Sequence, residues 1–229
     1  MDSSKVSLWS RGRAGALGVA VALLSAACGT PDPSLPDVTM SSAAAPQVNP
    51  ARIDRARDSL PDGYELAGIA GPARPTVWWG FGTQWTTAPP QCGVLADPAG
   101  DSASTRGWSG SGPGGIVYAV VAESAAALDP AVTAQCGQWS LSGGHASGTV
   151  TLTAAPTIDG AKTVAMATAA TTVVEGGTET HSHADTVTAY LPDHVVFVSV
   201  VTDPGSPDPR LGAEFANELM VKTVAALRG

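Results

Sequence analysis

The chain has 229 residues, 44% of them apolar, with 12 basic against 20 acidic side chains and a formal net charge of −8. An acidic surplus of this size repels nucleic acid and anionic lipid surfaces, and the basic residues are too few to form a footprint for either. The length fits one domain of ordinary size with a tether.

Lys5, Arg11 and Arg13 precede an uncharged stretch of small and apolar residues that ends at Ala27. A basic start, a short apolar run and small residues before a cut predict a secretory signal peptide over 1–27. The run of about 14 residues falls short of the roughly 20 that span a bilayer as a helix. Leu24, Ser25, Ala26, Ala27 and Cys28 resemble the lipobox of bacterial lipoproteins, with Ser25 where Leu is usual. The resemblance implies diacylglyceryl transfer to the Cys28 thiol, with palmitate among the acyl chains, and a mature chain held at the extracytoplasmic face of the cell membrane. At about 0.8 kcal/mol per buried methylene, two or three acyl chains hold a domain firmly. Three of the 12 basic residues and one of the 20 acidic ones lie in the leader, so the remainder carries 9 and 19. Contact with the membrane is therefore expected through lipid rather than charge.

With Cys28 acylated, Cys92 and Cys136 remain, an even pair in a chain sent to an oxidising compartment. A disulfide between them is the simplest reading. Neither belongs to a CxxC motif, which argues against catalysis or metal binding by these thiols.

Residues 28–48 are rich in Pro, Ser and Ala, lack an aromatic, and read as an extended linker. A single domain is expected over 49–229. Asn49 and Pro50 suit an N-cap and first helical position, and Ile53, Ala56 and Leu60 at spacings of three and four predict a short amphipathic helix. Strands are predicted over 64–70 and 76–85. The second carries Trp78, Trp79 and Trp85, indoles close enough to line a ligand groove or to fill a core. Residues 86–115 have turn chemistry throughout and read as loop. Within them Gly107, Trp108, Ser109, Gly110 and Ser111 invite comparison with the GxSxG nucleophile elbow, although the last position is Ser and no strand precedes it.

The run 116–122 is apolar on both faces and predicts a central strand. Residues 125–138 read as a helix with Leu128, Val132 and Cys136 on one face. After Gly143 and Gly144 come four strand-like runs, 149–155, 162–174, 179–191 and 194–202, whose tight connections predict an antiparallel meander. Its cover is a final helix announced by Asp208 and Pro209, with Leu211, Phe215 and Leu219 in one row and Met220, Val224 and Leu227 in the next. Together these elements predict an α+β domain, a twisted antiparallel sheet of about five to seven strands with helices packed on one face and one disulfide.

His181, His183 and Asp185 alternate along a predicted strand and share one of its faces, where two His at i, i+2 can ligate one ion. The pattern opens the HxHxDH motif of metallo-β-lactamase-like hydrolases, but Thr186 stands where the next His would be. His145 and His194 are candidates for a third ligand. The flanking Glu179, Thr180 and Ser182 describe a solvated strand equally well. No carboxylate pair, Walker or Rossmann pattern is present, so no cofactor is expected and the chain does not read as an enzyme.

Cys92 after a Pro-rich loop, the apolar strand 116–122 and the segment Gln135, Cys136, Gly137, Gln138 and Trp139 make the chain similar to mycobacterial cell-envelope lipoproteins that carry a small domain of uncharacterised function. More distantly it resembles the extracellular sensor domain of a mycobacterial serine/threonine kinase, which has two cysteine pairs where this chain has one. The resemblance implies a twisted sheet with helices on one side and a ligand cleft on the other, and no catalytic residues. The expectation is a lipid-anchored binding or sensor-like module for a small-molecule or lipid ligand or an envelope protein partner, with Trp78, Trp79 and Trp85 at its groove. Rival expectations are a metal-dependent hydrolase at His181, His183 and Asp185, and a non-catalytic adaptor in an envelope protein complex.

Overall fold

Nine strands form one antiparallel sheet in the computed structural model, which describes residues 47–100, 102, 104–202 and 205–229; the signal-peptide residues and Cys28 lie outside the described residues. The strands are β1 (Glu65–Ala70), β2 (Thr86–Ala88), β3 (Thr105–Gly112), β4 (Gly115–Glu123), β5 (Gln138–Gly143), β6 (Ala146–Thr153), β7 (Lys162–Val173), β8 (Glu179–Tyr190) and β9 (His194–Val201). Their order is β1-β3-β4-β9-β8-β7-β6-β5-β2. The helices are few: 3-10 helices at Pro50–Ser59, Pro90–Cys92 and Glu175–Gly177, the short α1 (Pro75–Trp78), α2 (Gly93–Ala96) and α3 (Pro130–Gln135), and α4 (Ala213–Arg228). The expected α+β sheet of five to seven strands with helices on one face is thus corrected to a mostly β architecture of nine strands. No helix among the described residues is long and apolar enough to cross a membrane.

The meander of β6, β7, β8 and β9 follows the four predicted runs. Three strands, β2, β3 and β5, hid behind composition. In β3 the glycines serve close approach rather than turns: a Cβ at Gly107 would lie 2.4 Å from the Ala119 carbonyl oxygen, and one at Gly112 would lie 2.7 Å from the Tyr64 ring. The stretch 107–111 is therefore mid-strand rather than the expected loop, and Ser109 pairs with Tyr118 of β4. The predicted helix over 125–138 shrinks to α3, because Pro130 lacks an N–H and takes the first helical position while the Asp129 side chain accepts from the Ala131 N–H at 2.8 Å. Gln138 and Trp139 then belong to β5.

Pro75 likewise opens α1 where a strand was expected, and Gly80 and Gly82, at φ +95° and +69°, turn the chain out of it. At the C-terminal end α4 starts at Ala213 with Gly212 before it, not at Asp208 and Pro209. Its inner row is nonetheless the predicted one, with Leu219, Met220, Val224 and Leu227 buried.

Alternation along the central strands sends the two side-chain sets into separate cores. Val196, Val198 and Val200 of β9 pack with Val117, Val187, Trp108 and the inner row of α4, joined by Ile53 and Ala56 of the 3-10 helix. Val195 and Phe197 point the other way, toward Val120, Met166, Trp79 and Trp139. This second core is roofed by the segments 71–100 and 124–137, which the Cys92–Cys136 disulfide joins with a Cα–Cα distance of 5.6 Å.

Candidate functional site

The roof brings Trp78 onto the sheet. Its indole stacks on Tyr118 of β4 with ring centroids 4.2 Å apart and planes within 3°, and Phe197 lies 5.6 Å away in a tilted arrangement. Trp79 is different. It is 1% exposed and donates its Nε1–H to the Thr186 hydroxyl at 3.0 Å, and that hydroxyl shares a 2.7 Å hydrogen bond with Ser199. Adjacent positions on one turn thus give one indole at the edge of the core and one inside it.

A hollow of about 400 Å³ opens beside Trp78, walled by Ile116, Val174 and Val201 with Thr172, Thr180 and Ser182 contributing hydroxyls. It lies where β7 ends, β8 begins and β9 ends, and its walls are more apolar than polar. Burial pushes the Tyr118 phenol above its ordinary value, so the stacked pair carries no charge at neutral pH. An uncharged aromatic face flanked by aliphatic groups and a few hydroxyls suits an apolar ligand that carries hydrogen-bonding groups.

Trp85 does not join this hollow. It lines a separate, shallower depression of about 700 Å³ with Arg74, Gln84 and Ser142, and Arg74 forms an ion pair with Asp97 at 3.0 Å. The three indoles therefore form no single groove.

His183 and Asp185 do meet, with Nε2 and Oδ2 at 3.2 Å, whereas His181 lies outward and its Nδ1 is 3.1 Å from the Thr171 hydroxyl. Among the described residues no three His, Cys, Asp or Glu side chains come together as metal ligands. His194 opens β9, at the far end from Val201, the residue that pairs with Ala184 next to His183. His145 lies in the β5–β6 turn, where its carbonyl accepts from the Val173 N–H.

Sequence reasoning missed Tyr118, Ile116, Thr172 and Val201, since they sit on β4, β7 and β9 while Trp78 ends α1, and only the β4-β9-β8-β7 order gathers them. A polar tip at Tyr118 inside an otherwise apolar strand was the one available signal.

No curated protein sequence matches the chain. An uncharacterised protein of Mycobacterium smegmatis, the Rv0999 ortholog, shares the fold with a TM-score of 0.60 at 19% identity, over 80% of this chain and 99% of that one. Over residues 49–228 the chain matches a family described as a domain of unknown function, DUF5642, and it belongs to that family.

Proposed function

We propose that this is a lipid-anchored envelope domain that binds a small, largely apolar molecule in the hollow beside Trp78. The carrying observation is the half-buried Trp78, stacked on Tyr118 over a concave apolar surface of about 400 Å³. That volume lies within the roughly 300–1,000 Å³ of small-molecule sites. The anchoring half of the reading rests on Lys5, Arg11, Arg13 and the Leu24 to Cys28 stretch.

The two halves are tested separately. For the anchor, Cys28→Ser should abolish metabolic incorporation of labelled acyl chains and release the chain from the membrane fraction. Unchanged membrane association would sink it. For the site, native mass spectrometry of the full chain taken from its own membrane should find a retained molecule that is absent from a folded Trp78→Ala form. An empty wild-type chain, or equal retention in both, would remove the site from consideration.

A further inference from the structure

Two further hollows lie at the other end of the same strands. The segment 124–129 between β4 and α3 separates two hollows, of about 300 and about 520 Å³, that share Ala126, Ala127, Leu128 and Tyr190. The segment is tied to the body at Ser124, whose N–H donates to the Asp193 carbonyl at 3.1 Å. From 125 to 128 no backbone group bonds to another element among the described residues. Three consecutive alanines give this strap little to hold it down and little bulk to obstruct what lies beneath.

The larger hollow is walled by Leu128, Ala161, Tyr190, Leu191 and Pro192 as well as the strap, and Lys162 is its one charged lining residue. Lys162 stands opposite Tyr190 in the β7–β8 ladder and makes no ion pair among the described residues. Close by, the Arg228 guanidinium donates to the carbonyls of Asp159 and Gly160, the latter also lining the hollow. In a chain with 12 basic residues against 20 acidic, a hollow whose one charged lining residue is a lysine departs from the overall sign. Burial pushes the Tyr190 phenol up to about 12, so the floor beside them stays neutral.

We propose that this hollow takes a single-chain anionic amphiphile, its acyl chain beneath the Ala125 to Leu128 strap against Tyr190 and its carboxylate or phosphate on Lys162. The site is distinct from the hollow beside Trp78. The two lie at opposite ends of β7 and β8, roughly 30 Å apart at about 3.3 Å per residue. The acyl chain would exploit the apolar walls, and the head group Lys162, which also disfavours neutral hydrocarbons.

The test uses the full chain in its own membranes, photolabelled with a palmitate that carries a diazirine in its chain and mapped by peptide mass spectrometry. Label is expected on 124–129 or 190–192, competed by unlabelled palmitate. Lys162 is exposed, so Lys162→Glu should fold and lower labelling by about tenfold, a change of about 1.4 kcal/mol, while Lys162→Arg should retain it. Ala126→Trp should block the space and abolish the label. A one-chain lysophosphatidate with the same photolabel separates the two head groups: labelling by it alone assigns a phosphate, and labelling by palmitate alone assigns a free carboxylate. Label confined to the Trp78 hollow, label from neither probe, or equal label in wild type and Lys162→Glu would overturn the proposal. Label confined to the Trp78 hollow would at the same time support the first site, so the two readings fail separately.

Discussion

One face of the sheet is covered by regular structure and the other by tied-down loops. On the first, α4 and the 3-10 helix press Ile53, Leu219, Met220, Val224 and Leu227 onto alternate valines of β9. The buried hydroxyl of its helix, Thr223, is satisfied within the helix by the Leu219 carbonyl at 2.7 Å. On the second, helices of four to six residues and long connections lie over a sheet that includes a seam of buried hydroxyls, Thr168, Thr186, Thr188 and Ser199. The hollow beside Trp78 and the two beside the strap open on this side. Close-packed regular elements leave no room for a guest, whereas loops over a rigid sheet can leave concave space at modest cost in stability. The α4 face is therefore the close-packed one, and the concave space lies on the loop face.

The largest expected effect belongs to the first face. Trp108 is fully buried and its Nε1–H donates to the Ile53 carbonyl at 3.1 Å. Trp108→Ala should cost about 3–5 kcal/mol through the cavity it leaves, seen as a fall in the urea midpoint. Next comes the disulfide. Closing a loop across a separation of 44 residues is worth about 4 kcal/mol in the chain-entropy model, less where the unfolded chain is already compact. Replacing Cys92 and Cys136 by Ser should also break the symmetry between faces. Hydrogen exchange should accelerate in 71–100 and 124–137 well before β9, and uniform acceleration would show that the two faces unfold as one.

Tyr190 sharpens the contrast through pH. Its phenol is held neutral by burial up to about 12, against 10 for an exposed tyrosine. The unfolded chain therefore releases this proton first, so the contribution is fully present below pH 10 and is lost as pH rises toward 12. The loss amounts to about 2–3 kcal/mol at 1.36 kcal/mol per pH unit. Melting temperature measured across that window should fall less steeply in Tyr190→Phe than in wild type.

Long runs with a clear period were legible in the sequence. β4, β6, β7, β8 and β9 follow it closely, and so does the inner row of α4, because in each the side-chain alternation matches the element's own repeat. What failed was local chemistry read without its tertiary partner. Gly107 and Gly112 suggested turns, yet their lack of a Cβ accommodates Ala119 and Tyr64 from neighbouring segments. The spacing of Leu128, Val132 and Cys136 suggested a long helix, and Pro130 allowed only a short one. The Trp cluster was legible as composition but not as geometry. Nothing in one strand's sequence says that Tyr118, Val201 and Thr172 stand beside Trp78, since the β4–β9 pairing that brings them together joins residues more than 50 positions apart, as Ile116 to Val201.

The smallest expected effect is the most informative about the site. Trp79→Phe removes a buried donor but leaves Thr186 bonded to Ser199, so it should cost about 1–2 kcal/mol. Trp78→Phe keeps an aromatic ring over Tyr118 and gives up area that already faces solvent in part, so its cost should stay under about 1 kcal/mol. If Trp78 serves mainly to present a surface, this variant should keep its urea midpoint and lose most of any molecule retained by wild type, because a phenyl ring covers less of the hollow than an indole. The opposite pattern, a large loss of stability with retention intact, would place Trp78 with Trp79 in the core and leave the strap at Tyr190 as the binding feature of the loop face. The two indoles are chain neighbours at the C-terminal end of α1, so comparing their variants holds the surrounding structure nearly constant and isolates burial as the variable.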